Sequence, residues 1–447
     1  MAIGSSRVFK IILYIGVFVF FGFLAFSGLF YWMANRTLPP AQEFKSLSIK
    51  KPKRLTFSAK WERLLQSNAF LVKIPASAQK AHAAIKEGRW PTQVEEFKLA
   101  MTSLQAQYWT ILQTFRSKGC YFRDDFDISA ALKGGTPKEV FARWQDARWS
   151  RIKKMISALR IFVLYSVKEL QSGDAERATK EMLVVEKRLA AYLDDCAIMP
   201  QDAFGLIYLL GRLHHYLAFA LVHPHLSSET RVKIFQALRR WQKRPRFMNA
   251  LIYRHTRLLY RMIAHLKKQP DYAWIPAPWS DASDTRTLLQ RYARRYVFIS
   301  QTSIRNTTAW RISPIEALLA RTRTQSKLLR YYQYNAVGRF LMSQIPVEYR
   351  NVLISWYKMQ CQFAAFRALL VSKLKEGGIE MPEGFQAIKP IDPFTNQEIK
   401  LPFQNICVLS SAYQVGVSND LMGGVVVGKV PAIPQLPEKD EDSKEKK

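Results

Sequence analysis

The chain has 447 residues, 48% of them apolar and 13% aromatic, which suffices for a packed core and excludes wholesale disorder. Its 67 basic against 35 acidic residues leave a formal charge of +32, which excludes an acidic, halophile-like surface and raises the question of an anionic partner. No G-x-S-x-G, P-loop, H-E-x-x-H or Cys-His pairing of familiar spacing occurs, so the motifs point away from enzymatic chemistry.

After a leading tail (1–10), Ile11 to Met33 runs without a single charge and is rich in Phe, Ile, Leu and Val. At about 1.5 Å per residue it crosses the roughly 30 Å hydrocarbon layer of a bilayer, so a transmembrane helix is expected. A cleaved signal has an apolar core of only about 7–15 residues, whereas this run is longer and closes on the interfacial pair Tyr31-Trp32. Gly16, Gly22 and Gly28 recur every six residues rather than every four, which gives no small-xxx-small dimerisation face. Arg7 and Lys10 hold the leading side in the cytoplasm, while Arg36, Lys45, Lys50, Lys51 and Lys53 compete from the other side. Long domains cross largely regardless of charge, so the expected topology is single-pass in a bacterial inner membrane with a periplasmic body. The four cysteines, Cys120, Cys196, Cys361 and Cys407, lie far apart with no C-x-x-C pair, and unpaired buried thiols are expected of them.

A linker (34–57) carrying Pro39-Pro40 cannot continue a helix, and from residue 58 the apolar spacing is helical. Helices are expected over 58–72, 76–87, 93–117, 138–171, 175–195, 201–222, 227–242, 246–268, 285–299, 313–342 and 347–376. Pro137, Ser227 and Ser313-Pro314 mark starts and Gly173-Asp174 a break. The clearest hairpin is 138–195, with Met155, Leu159, Val163 and Val167 striping one helix and Met182, Leu183, Leu189 and Leu193 the other. Its turn is similar to that of tetratricopeptide-like hairpins, but no strict period of about 34 residues exists, so a mainly α, irregular helical array (58–378) is expected.

Past Glu376-Gly377-Gly378 the pattern changes to short apolar runs with glycines and turn dipeptides, which suits a small C-terminal β-hairpin module (379–430). Asp392-Pro393-Phe394-Thr395 and Tyr413-Gln414-Val415-Gly416-Val417-Ser418-Asn419-Asp420-Leu421-Met422-Gly423-Gly424 resemble the ending shared by type II secretion pseudopilins and by uncharacterised bacterial single-pass membrane proteins with a helical body. The resemblance implies a membrane-anchored architecture and no activity. Pilin assembly does not carry over, because Gly4-Ser5-Ser6-Arg7 lacks the prepilin cleavage pattern and the apolar run lacks its acid. Nor does calcium binding, since Asn419 and Asp420 fall short of six to eight oxygen ligands and read as turn caps. Residues 431–447 end in mixed acids and bases and are expected to be a disordered tail.

Among candidate constellations, His214 and His215 are adjacent on one helix, point about 100° apart and cannot chelate together, so solvated or core-edge histidines are expected there and at His223 and His225. Gly205 and Gly211 on that helix read as close-packing positions. Asp124, Asp125 and Asp127 in a loop and the pair Asp194-Asp195 read as solvated carboxylates. The strongest departure is charge: Arg231 to Lys268 contains twelve Lys or Arg and no acid. On the helix 246–268, Arg254, Arg257, Arg261, His265 and Lys268 fall within about 80° of one another, beside an apolar face of Met248, Leu251, Leu258, Leu259, Met262 and Ile263. That ridge is the candidate anion-binding site, with phospholipid headgroups as the first partner and nucleic acid as the alternative. The expected protein is a membrane-anchored helical scaffold for interaction with lipid or protein partners, needing no cofactor. The alternatives are a cytoplasm-facing nucleic-acid binder and a membrane-associated hydrolase.

Overall fold

The computed structural model describes residues 3–36, 58–67, 74–121, 137–266, 282–304, 349–381 and 391–398, with single positions between 310 and 342. These residues are mainly helical. Helix α1 (Ile3–Arg36) extends the apolar run at both ends. Between Lys10 and Leu29 its mean hydropathy is 2.3 and none of it is covered by the rest of the chain. It contributes no residue to the hydrophobic core.

The body begins with four short helices, α2 (Ala59–Gln66), α3 (Ala76–Lys86), α4 (Val94–Thr102) and α5 (Gln105–Arg116). The expected single helix 93–117 is broken between α4 and α5. There Thr102 Oγ1 donates to the Lys98 carbonyl at 2.9 Å and Ser103 Oγ to the Ala100 carbonyl at 2.7 Å. Three long helices follow, α6 (Pro137–Gln171), α7 (Ala175–Asp195) and α8 (Pro200–Leu221), and pack on one another. The α6–α7 turn uses Gly173 at φ +93°, a conformation other residues rarely adopt. Both stripes of this hairpin face inward, with Met155, Leu159, Val163, Val167, Met182, Leu189 and Leu193 buried.

Helix α8 also has the length and apolarity of a membrane span, but 78% of it is buried by the body, so it is the core helix. It starts where the Asp202 carboxylate accepts the backbone N–H groups of Ile198 and Met199 at 2.9 and 3.0 Å. A Cβ added at Gly205 would sit 2.3 Å from Ile152 Cγ2 of α6. The absent side chain is what lets the two helices approach.

The expected helix 227–242 is α9 (Ser228–Leu238) followed by a 3-10 turn (Arg239–Gln242). Ser227 Oγ accepts the Thr230 N–H at 3.3 Å as its N-cap. Helices α10 (Phe247–Leu266) and α11 (Ala282–Gln301) pack together, and α12 (Tyr349–Glu376) crosses α8 and the 3-10 turn. The expected helix 313–342 lies largely outside the described residues, as do Asp124, Asp125, Asp127 and the segment from Tyr413 to Gly424.

No β-strand occurs among the described residues. Of the expected module 379–430 only 379–381 and 391–398 are described, and there the D-P-F-T segment forms a tight turn closed by an isolated antiparallel bridge between Ile391 and Glu398. Asp392 Oδ1 accepts the Phe394 N–H at 2.8 Å, and Phe394 buries its ring against Tyr357 of α12 at 6.3 Å.

The cysteine expectation is corrected. Cys120 and Cys196 form a disulfide across 76 residues, and Cys361 is disulfide-bonded as well. The Cys120 carbonyl accepts the Ser58 N–H and Cys196 ends α7, so the fold brings together two positions that the sequence keeps apart. Closing a loop of that size restrains the unfolded chain by about 4 kcal/mol. Replacing Cys120 and Cys196 together by Ser should therefore lower the unfolding free energy of the oxidised protein by about 3–4 kcal/mol. Urea titration of both forms checks this, and the midpoint of the parent should move in the same direction on reduction.

Candidate functional site

The basic face on α10 is built by ordinary helical geometry. Met248, Leu251, Ile252, Leu258 and Leu259 are buried toward the body, so the opposite side carries the charge. Arg257 and Arg261 are exposed there. Arg254 is not free in the same way: its Nη1 donates to the Ala197 carbonyl at 3.0 Å and its Nη2 to the Asp194 carbonyl at 3.1 Å. Those carbonyls lie at the C-terminal end of α7, where a cation is favoured by the helix dipole and by orphan acceptors. His265 is on α10 and Lys268 lies outside the described residues. Helix α11 packs alongside and carries half-buried Arg291, Arg294 and Arg295.

A second constellation sits inside the body. His214 of α8 is fully buried, not solvated or at the core edge as expected. The indole of Trp241 in the 3-10 turn donates to His214 Nδ1 at 2.6 Å. An indole can only donate, so Nδ1 is the acceptor and the ring's proton sits on Nε2, which faces Glu186 Oε1 of α7 at 3.3 Å. Arg240 donates to the same oxygen at 3.0 Å. Burial alone would raise the Glu186 carboxyl, but His214 and Arg240 outweigh it and hold the group below its usual range. Phe363 of α12 stacks on Trp241, with ring centroids 5.4 Å apart, and meets His214 edge-on. His215 points elsewhere, its Nε2 3.3 Å from the Ile85 carbonyl of α3. The Glu-His-Trp chain is closed, buried and satisfied, so it fixes the junction of α7, α8 and the 3-10 turn. Sequence reasoning missed it because Glu186 and Trp241 stand 28 and 27 residues from His214. No spacing rule links them.

His223 and His255 are buried too, and burial first, then Arg148, lowers His255 to about 3. Its Nδ1 lies 2.7 Å from the Tyr349 hydroxyl of α12, a packing contact in the core.

No family model, curated protein or solved structure matches the chain.

The two roles on α10 separate in a stability measurement. Arg254→Gln should cost about 1–2 kcal/mol, since two bonds to carbonyls at a helix end are lost. Arg257→Gln and Arg261→Gln should each change stability by less than about 0.5 kcal/mol. Urea midpoints of the three variants check the contrast.

Proposed function

We propose that the chain is a single-pass membrane-anchored helical scaffold of a bacterial inner membrane, with its body in the periplasm, acting through interaction rather than chemistry. The observation that carries this reading is α1, an apolar helix whose surface the body leaves uncovered. Phe18 is 81% exposed and Phe20, Phe21 and Phe23 more than half exposed, area that a bilayer removes from water. The disulfides support the periplasmic side, because such bonds persist in oxidising compartments and are rare in the cytosol. In this reading the D-P-F turn anchors a small hairpin module of pseudopilin-like type against α12.

Topology is tested by reporter fusions after Lys447. Alkaline phosphatase should be active there and green fluorescent protein dark, and thiol alkylation in intact cells should find Cys120 and Cys196 blocked. A fluorescent fusion combined with reduced, alkylatable thiols reverses the orientation and favours the cytoplasmic nucleic-acid reading.

The basic face of α10 then meets anionic headgroups, with Arg257 and Arg261 as its exposed charges. Each contributes roughly 1 kcal/mol near an anionic surface, so the double Gln variant should bind phosphatidylglycerol-containing liposomes about thirtyfold more weakly than the parent. The body lacking α1 is suited to this assay, since α1 adds nothing to its core. Binding should fall between low and physiological salt as screening shortens to about 8 Å. Equal binding by parent and variant at every salt concentration removes lipid from the proposal.

A further inference from the structure

A cavity of about 230 Å³ opens between the 3-10 turn, α12 and the D-P-F turn. Trp241, Phe363 and Phe366 supply aromatic wall, with Leu238 and Ile391 beside them. The volume exceeds the roughly 150 Å³ that admits benzene in an apolar cavity and lies below the roughly 300 Å³ at which drug-sized pockets begin. A single ring or a short aliphatic chain is the matching size.

The polar residues of the lining are few: Arg367 and the amides Gln242 and Gln360. Arg367 is a lining residue only 6% exposed. Burial first, and then the nearby positive charge of Arg239, lower it to about 10, so at neutral pH it keeps its charge. A guanidinium holds a carboxylate in a fixed fork through charge-assisted hydrogen bonds. Gln360, also in the lining, has its side-chain carbonyl oxygen buried with no hydrogen bond from the protein, and it can accept from a hydroxyl.

We propose that this cavity binds a small carboxylate with an apolar body, an aryl or short-chain hydroxy acid, its carboxylate on Arg367 and its body against Trp241, Phe363 and Phe366. Trp241 links the site to the interior, since the same ring that walls the cavity donates to His214. The site is independent of which side of the membrane the body occupies.

The test uses the full chain in lipid nanodiscs, with empty discs subtracted, and three probes: para-hydroxybenzoate, para-hydroxybenzyl alcohol and acetate. Calorimetry should show saturable binding of para-hydroxybenzoate with a change in tryptophan emission. The neutral alcohol, which keeps the ring, and acetate, which keeps the charge, should each bind at least about tenfold more weakly. Ala364→Phe places a ring in the cavity and should abolish binding of the aryl probes. Arg367→Met keeps an apolar stem without the charge and should bring the acid down to the affinity of the alcohol. Should Arg367→Met fail to fold, the comparison of acid with alcohol in the parent, together with Ala364→Phe, still decides. The proposal is overturned by no saturable binding of para-hydroxybenzoate, by equal binding of acid and alcohol to the parent, or by unchanged binding in Ala364→Phe.

Discussion

Covering the apolar faces of α8 is the constraint from which the arrangement of the body follows. Its residues are apolar around most of the circumference, and only the stripe of Gln201, Phe204, Tyr208, Arg212 and His215 is left half-buried or exposed. Two positions on it lack a side chain and take a neighbour at close range. Gly205 receives Ile152 of α6, and a Cβ at Gly211 would sit 2.0 Å from Met359 Cε of α12. Six residues correspond to about 600° of helix, so these approaches fall on faces roughly 120° apart, and α7 closes much of what remains. Enclosing α8 also encloses His214, and pairing both of its ring nitrogens avoids the cost of a buried unpaired polar atom. That requirement fixes where the 3-10 turn brings Trp241 and where α7 brings Glu186.

Charge within the body follows the same logic. Glu169, Glu181, Glu186 and Asp202 are buried, and each has a basic neighbour: Lys168 with Arg177, Arg116, Arg240 and Arg148 respectively. Such pairs add little net stability over apolar residues but make the loss of either partner expensive, so they hold the helices in register. The acid-free run from Arg231 to Lys268 looks different in this light. Arg231 bonds the carbonyls of His223 and Pro224, Arg244 that of Gln301, Arg254 those of Asp194 and Ala197, and Arg240 the Glu186 carboxylate. Four of the run's twelve basic residues therefore fasten helix ends or a buried carboxylate, and the part directed at solvent is smaller than the count implies.

What could be read beforehand was whatever depends on neighbours along the chain. The α6–α7 hairpin follows from apolar spacing and a Gly-Asp turn, α7 begins and ends at the residues expected, and Ser227 caps as its residue type and place suggest. Gly205 and Gly211 were identifiable as packing positions because they interrupt an apolar helix without any phosphate-binding context. The disulfide between Cys120 and Cys196, the Glu186-His214-Trp241 chain and the capping by Arg254 were hidden for one shared reason. Each joins residues 27 or more positions apart, and nothing local distinguishes a cysteine or arginine with a distant partner from one without. Residue type limits which bonds are available; topology selects among them.

Helix α12 shows how that selection ties the C-terminal motif to the core. Met359 lies over Gly211 of α8, and the Trp356 indole donates to the Lys243 carbonyl just beyond the 3-10 turn at 3.1 Å. Tyr357 of the same helix receives Phe394. Asp392 accepts the Phe394 N–H, so the carboxylate shapes the turn that delivers the ring. A segment that reads in isolation as an Asx turn thus acts, in its place, as a clamp on α12. The same turn places Ile391 in the lining of the cavity that Trp241 also lines, so the motif's packing and the cavity's shape share residues.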